Sequence, residues 1–174
     1  MRVSELKKSI RQIPDFPKPG INFYDLSTLF LDGAAMKSTV DRMEERFRGE
    51  QIDALAAVEA RGFILGGALA DRLGTGLIML RKEGKLPGVT EPERYTLEYG
   101  EASIEVHRDA VTEGQRLVVV DDLLATGGTA AAAARLLERL GGRVEGYAFI
   151  VELGFLNGRQ QLGSSSVFSL IHYD

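Results

Sequence analysis

Leu117 to Ala133 reads LVVVDDLLATGGTAAAA, and its two halves ask for different structures. The apolar run Leu117–Val120 has the character of a strand buried on both faces, expected over 117–121. From Gly128 the alanines favour a helix to about residue 140, where Gly141 and Gly142 close it. A strand feeding a helix through a short turn is the building unit of a parallel sheet covered by helices. The turn between them is unusual. Thr126, Gly127, Gly128 and Thr129 combine two hydroxyls with backbone that can aim successive N–H groups at one point, and the helix adds its positive end. That suits an anion, yet Asp121 and Asp122 stand just before it. Two carboxylates repel a bare phosphate, so the ligand must also bring hydroxyls or a cation. Taken alone, TGGT serves equally well as a capped βα turn. The acid pair beside it favours a sugar phosphate.

The rest of the chain repeats the alternation of strand and helix. ALAAV (Ala54–Val58) and GLIML (Gly76–Leu80) read as buried strands, with GFILGGALADRLG (Gly62–Gly74) between them as a helix that ends at a glycine. VEGYAFIVEL and VFSLIHY are two further strands. Met36, Val40, Met43 and Phe47 fall at helical spacing, as do Val3, Leu6, Ile10 and Ile13 at the N-terminus. PDFPKPGINF, with three prolines before Gly20, breaks that first helix into a stiff connection. RKEGKLPGVTEPER (81–94) is dense in charge, proline and glycine and has no apolar period, which predicts a long mobile loop or lid. YTLEYGEASIEVH (Tyr95–His107) alternates across Gly100 as an antiparallel pair would. The whole predicts a single α/β domain over 1–174, a mostly parallel twisted sheet with helices on both faces. Ligands of such sheets bind at the carboxyl ends of the strands. EARG after Val58, RKEGK after Leu80 and DDLLATGGT after Val120 would converge there.

Composition narrows the function classes. Of 174 residues, 44% are hydrophobic and 26% charged, ordinary values for a soluble globular protein. A net charge of −4 argues against non-specific nucleic-acid binding. There is no cysteine, so disulfides and thiolate metal sites are excluded. His107 and His172 are too few for a histidine-rich metal site, and neither sits in a motif. No apolar run approaches the ~20 residues of a membrane span, and MRVSELKKSIRQI lacks the core of a signal peptide, so a cytoplasmic location fits. No Gly-Lys-Ser/Thr follows the turn, which removes the main support for triphosphate hydrolysis.

LVVVDDLLATGGT resembles the phosphoribosyl-pyrophosphate signature of the type I phosphoribosyltransferases: an apolar strand, two acids, a spacer, then Thr-Gly-Gly-Thr. FPKPGINFYDLSTLF, EARGFILG, RKEGKLPG and YTLEYGEASIEVH are similar, in the same order, to segments of the adenine phosphoribosyltransferases within that family. The resemblance spans about Phe16 to Tyr173. It implies the type I fold, with an N-terminal helix and base-binding hood in 1–33 and a flexible lid at 81–98. The implied reaction is purine salvage: transfer of 5-phosphoribosyl from phosphoribosyl pyrophosphate to N9 of adenine, giving AMP and pyrophosphate. Mg²⁺ would ride on the substrate, near Asp121 and Asp122, rather than be held by protein alone. A homodimer is implied too, with the N-terminal segment a contributor to its interface.

Residue by residue, the resemblance places Asp121 and Asp122 at the ribose hydroxyls and Ala125, Thr126, Gly127, Gly128 and Thr129 around the 5-phosphate. Ala60, Arg61 and Gly62 would form the pyrophosphate loop, where the family often has a non-proline cis peptide. Phe23 would stack on adenine while the backbone at Asn22 reads its Watson–Crick edge. Glu98 would lie near the imidazole side of the purine, with Tyr99 beside it. Many members carry Arg or Lys where this chain has Tyr24, a departure that touches base placement or a subunit contact. Tyr24 could stack or donate a hydrogen bond there instead.

These side chains also make chemical sense without the resemblance. Breaking a C1–pyrophosphate bond leaves a cationic sugar and a highly charged leaving group. Arg61, Lys82, Lys85 and Mg²⁺ could neutralise the latter. Glu98 could take or share the proton of the attacking nitrogen, and a lid would exclude water. Plainer readings stand beside these: a solvated loop for Arg81, Lys82 and Lys85, a strand's solvent face for Glu98, core beside Phe16 for Phe23. Competing functions are transfer to another base, and ligand sensing without catalysis.

Overall fold

The computed structural model describes residues 1–97 and 100–174. At the N-terminus a short helix, α1 (Val3–Lys8), precedes a two-stranded antiparallel ribbon of β1 (Arg11–Ile13) and β2 (Phe23–Asp25). The helical spacing through Ile10 and Ile13 predicted a longer helix, but the chain turns at Ser9. The Ser9 hydroxyl bonds back to Leu6 O at 2.7 Å, and the Arg11 N–H goes to the Thr28 hydroxyl at 3.1 Å. Buried Asp25 staples the ribbon. Its carboxyl is pulled down to about 2, first by the Ser27 hydroxyl and then by Arg11, whose Nη2 lies at 2.5 Å. Helix α2 (Ser27–Leu31) and helix α3 (Gly33–Phe47) follow, the latter capped by Asp32, which accepts from Ala34 N and Ala35 N.

The main sheet then builds in sequence: β3 (Ala54–Val58), α4 (Gly62–Leu73), β4 (Gly76–Lys82), β5 (Thr90–Leu97), β6 (Gly100–His107), β7 (Arg116–Leu124), α5 (Gly128–Arg139), β8 (Arg143–Leu153) and β9 (Ser166–Tyr173). Its order is β5-β6-β4-β3-β7-β8-β9, with parallel pairing from β4 through β9 and an antiparallel β5–β6 ribbon on one edge. Alternate residues of one strand feed two cores. Leu55 and Ala57 join Leu65 and Leu69 of α4 on one face, while Ala54, Ala56 and Val58 join Ala132, Ala133 and Leu136 of α5 on the other. The expected parallel sheet with helices on both faces is therefore present, and β3 is buried throughout.

Three expectations differ in detail. GLIML was read as buried, but in β4 only Ile78 and Leu80 are; Leu77 and Met79 are 37% and 46% exposed, and Ile64 of α4 is 44% exposed. Residues 81–94, read as one loop, divide: β4 continues through Lys82, and β5 begins at Thr90. Pro92 is tolerated because β5 is an edge strand, with no strand among the described residues paired on its outer side. The turn between is pinned by buried Glu105, which accepts from Lys85 N (2.9 Å), Leu86 N (2.8 Å) and the Thr90 hydroxyl (3.0 Å). Burial alone would raise the Glu105 carboxyl, but these donors hold it below the usual carboxylate range. Finally, β7 runs to Leu124 rather than stopping at 121, so Asp122 joins Asp121 within the strand.

Candidate active site

β3 stops at Val58, while its neighbours β4 and β7 run on to Lys82 and Leu124, and a cleft of about 370 Å³ opens past its end. Its walls include Glu59, Arg61, Lys82, Tyr95, Asp121 and Thr129. EARG forms the first wall, with a cis peptide between Glu59 and Ala60 and Gly62 opening α4. A methyl on Gly62 would stand 2.9 Å from Asp121 Oδ1 and 3.0 Å from Val120 O, so only glycine lets α4 start this close to β7. That contact brings Arg61 to the acid pair. Arg61 Nε lies 2.5 Å from Oδ2 of buried Asp122, and its Cζ lies 6.0 Å from the centre of the Phe23 ring. The hood is thereby tied to the mouth of the cleft.

The second acid behaves differently. Asp121 Oδ1 accepts the Asp122 N–H at 2.8 Å. Removal from water, and then the charge of Asp122, hold the Asp121 carboxyl well above the usual range despite that bond and Arg61. Among the described residues no group of three or more His, Asp or Glu could hold a metal. Two adjacent carboxylates do suit an ion that brings most of its oxygens from a phosphorylated ligand.

Beyond Asp122 the backbone forms a smaller concavity of about 80 Å³, lined by Leu123 to Ala130 with Asp121 and Phe149. Gly127 has φ +86 and caps α5, which starts at Gly128, so the helix's free N–H groups face the hollow. The floor is set from elsewhere in sequence. A methyl on Gly127 would drive into the carbonyl of Gly158, and one on Gly158 into the carbonyl of Ala125. Gly158, in the single helical turn Gly158–Leu162, is thus part of the cradle's support, and nothing local in its sequence marks it.

Other sequence candidates fall in mixed places. Lys82 lines the cleft, whereas Lys85 is exposed on the pinned turn and not among the lining residues. Asn22 is exposed at the start of β2, its side-chain amide bonded to Gln12 at 2.9 Å. Phe23 packs edge-on to Phe16 at 5.2 Å. Tyr24 points to the other face of the ribbon and meets Tyr173 at 4.2 Å, so its side chain joins the core rather than the cleft. Glu98 and Tyr99 lie outside the described residues. The two histidines pair with Pro87 O and Glu152, away from the cleft. Sequence reasoning missed Glu59, which binds Arg81 through both oxygens at 3.2 Å and accepts the Lys82 N–H at 2.9 Å. The Arg81 bonds and then the Lys82 amide keep its carboxyl below the usual range. Its position as first residue of EARG was the available signal.

The family described as the phosphoribosyl transferase domain matches residues 29–160, a span that holds Arg61, the acid pair and the Thr-Gly-Gly-Thr turn. The chain is 53% identical to an adenine phosphoribosyltransferase of Koribacter versatilis, over 97% of this chain and 93% of that one. It superposes on the crystal structure of adenine phosphoribosyltransferase from Thermoanaerobacter pseudethanolicus with a TM-score of 0.95 and 49% identity, covering 98% and 99% of the two chains. The Saccharomyces cerevisiae enzyme, complexed with D-2,5-dideoxy-2,5-imino-altritol 1,6-bisphosphate and adenine, matches with a TM-score of 0.90 and 40% identity over 97% of each chain. The chain belongs to the adenine phosphoribosyltransferase family.

Proposed function

We propose that this chain performs purine salvage, moving 5-phosphoribosyl from phosphoribosyl pyrophosphate to N9 of adenine and releasing AMP and pyrophosphate. The observation that carries the reading is a cleft holding both aspartates and Arg61 and adjoining the Thr-Gly-Gly-Thr cradle, in a chain with full-length likeness to adenine phosphoribosyltransferases. The 5-phosphate sits against the N–H groups and hydroxyls of Ala125–Thr129. The ribose hydroxyls donate to Asp121 and Asp122. As the donor enters, Arg61 exchanges Asp122 for the pyrophosphate, so the ion pair at 2.5 Å is the resting form of a ligand-binding arginine. Asp121 and Asp122 are the carboxylates that would meet a substrate-borne Mg²⁺, which would neutralise charge on the leaving pyrophosphate. Lys82, and Lys85 once the turn approaches, add to that neutralisation.

The C1–O bond breaks as C1–N9 forms. The acid pair steadies the positive sugar, and Glu98 accepts the N9 proton. Ala60 and Gly62 shape the loop on the pyrophosphate side. Phe23 supports the base, the Asn22 backbone reads its edge, and Tyr99 stands beside Glu98. Residues 81–98 serve as the lid and residues 1–33 as the hood. Exposed Leu77 and Met79 of β4 and Ile64 of α4 offer apolar surface to a second copy of the chain. No helix among the described residues is long and apolar enough to cross a membrane, and a cytoplasmic enzyme fits that. The test is direct: with adenine, phosphoribosyl pyrophosphate and Mg²⁺, AMP and pyrophosphate should appear in equal amounts and stop on chelation. Release of ribose 5-phosphate without AMP contradicts the reading.

A further inference from the structure

The edge strand β5 is fastened along α5, at its C-terminal half through Glu93 and at its phosphate end through Tyr95, by contacts that the reaction as described does not use. Glu93 bridges Arg135 at 2.8 Å and Arg139 at 2.5 Å, and Arg139 also donates to Pro92 O at 2.6 Å. Two residues on, the Tyr95 hydroxyl lies 3.1 Å from Thr129 Oγ1, with Tyr95 lining the cleft. A methyl on Gly128 would meet Thr96 O and Tyr95 Cδ2, each at 3.8 Å, so the strand lies directly over the cradle's last two residues.

The donor count settles what that contact does when a phosphate arrives. Each hydroxyl has one proton and can accept as well. A phosphate dianion only accepts, so Thr129 must turn its proton toward it, leaving its lone pairs for Tyr95. We propose that Tyr95 is a positioning residue for the 5-phosphate: it donates to Thr129 Oγ1, fixes that hydroxyl's proton on the phosphate, and ties the β5–β6 ribbon to donor occupancy. This rests on the phosphoribosyl transfer proposed above. Tyr95 itself touches no reacting atom; its effect passes through Thr129.

The experiment uses the full chain as wild type, Tyr95→Phe, Thr129→Ala and the double variant. Phenylalanine keeps the ring packing, and urea midpoints verify that folding is unchanged. Tyr95→Phe should raise KM for phosphoribosyl pyrophosphate about fivefold, the order of one net hydrogen bond, and leave KM for adenine within about twofold. On the Thr129→Ala background the same change should add nothing, whereas it should still act in Thr129→Ser, which keeps the hydroxyl. Independent, multiplying effects, an unmoved donor KM, or an equal rise in the adenine KM would each overturn the proposal. Calorimetric affinity for ribose 5-phosphate is measured across the same variants. If the wild type makes no AMP, the transfer reading fails, while this second measurement still decides the Tyr95–Thr129 relay by the same non-additivity.

Discussion

Alanine at position 127 would place a methyl group inside the carbonyl of Gly158, with Gln161 Cβ at 3.0 Å and Gly158 C at 3.1 Å. Two costs add. Gly127 holds φ +86, where a side chain costs roughly 1–2 kcal/mol. Overpacking against fixed backbone adds roughly 1–3 kcal/mol. The sum, about 3 kcal/mol, is a large part of the 5–15 kcal/mol that holds a typical domain. With a urea m-value of about 2 kcal/mol/M, the midpoint should fall by about 1.5 M. Gly128, the next residue, gives the opposite expectation. Its added methyl finds only ordinary contacts at 3.8 Å, and as the first residue of α5 it gains up to about 1 kcal/mol of helix propensity. Gly128→Ala should therefore unfold at the wild-type midpoint or up to ~0.5 M above it. Urea titrations followed by circular dichroism compare the pair. Donor KM should rise at least tenfold in Gly127→Ala, since the cradle's N–H groups move. A Gly127→Ala midpoint within ~0.5 M of wild type refutes the reasoning, because backbone packing against Gly158 would then not shape the cradle.

The raised carboxyl of Asp121 makes a pH prediction. Between its unfolded value, about 4, and its higher folded value, only the folded state keeps the proton, so this group lowers stability as pH rises through that window. Asp121→Asn should be more stable than wild type by a margin that grows from about pH 4 upward, at the expense of donor affinity; a pH-independent margin in metal-free urea titrations counts against it. Arg61→Gln should lower kcat by about 10²–10³ if Arg61 meets the leaving pyrophosphate, with the adenine KM little changed; a loss confined to thermal stability would reduce Arg61 to the partner of Asp122. Met79→Arg, on the exposed apolar surface of β4, should shift light-scattering mass from dimer to monomer without lowering the melting temperature of the monomer; an unchanged mass places the interface elsewhere.

What could be read from sequence was mostly local. Leu117–Ala133 specified strand, turn and helix because each part lies within about a dozen residues and carries its own signal. The two three-residue strands of the hood carried none: Arg11 pairs with Asp25 across three prolines, and helical spacing in Val3, Leu6 and Ile10 masked the turn at Ser9. GLIML could not reveal its open face, since a wholly apolar run looks the same whether one face or both are covered. In RKEGKLPGVTEPER the charges hid a strand whose partners come from β6 and whose anchors, Arg135 and Arg139, lie over forty residues away. Among the candidate site residues, Arg61, Lys82, Asp121, Asp122 and Thr129 sit in sequence motifs and do line one cleft. Tyr95, Glu59, Glu105 and Gly158 were not legible, because their roles depend on contacts that only the folded chain creates.

In the proposed reaction the choice of acceptor base falls to Phe23, Asn22 and Glu98 rather than to the cradle, and likeness to adenine phosphoribosyltransferases supports adenine. A competition assay measures it best: phosphoribosyl pyrophosphate and Mg²⁺ with equimolar adenine, hypoxanthine, guanine, xanthine and uracil, the nucleotides resolved by chromatography. AMP should dominate from the first time point, with each other nucleotide at a small fraction of it. A faster product from any other base contradicts the assignment.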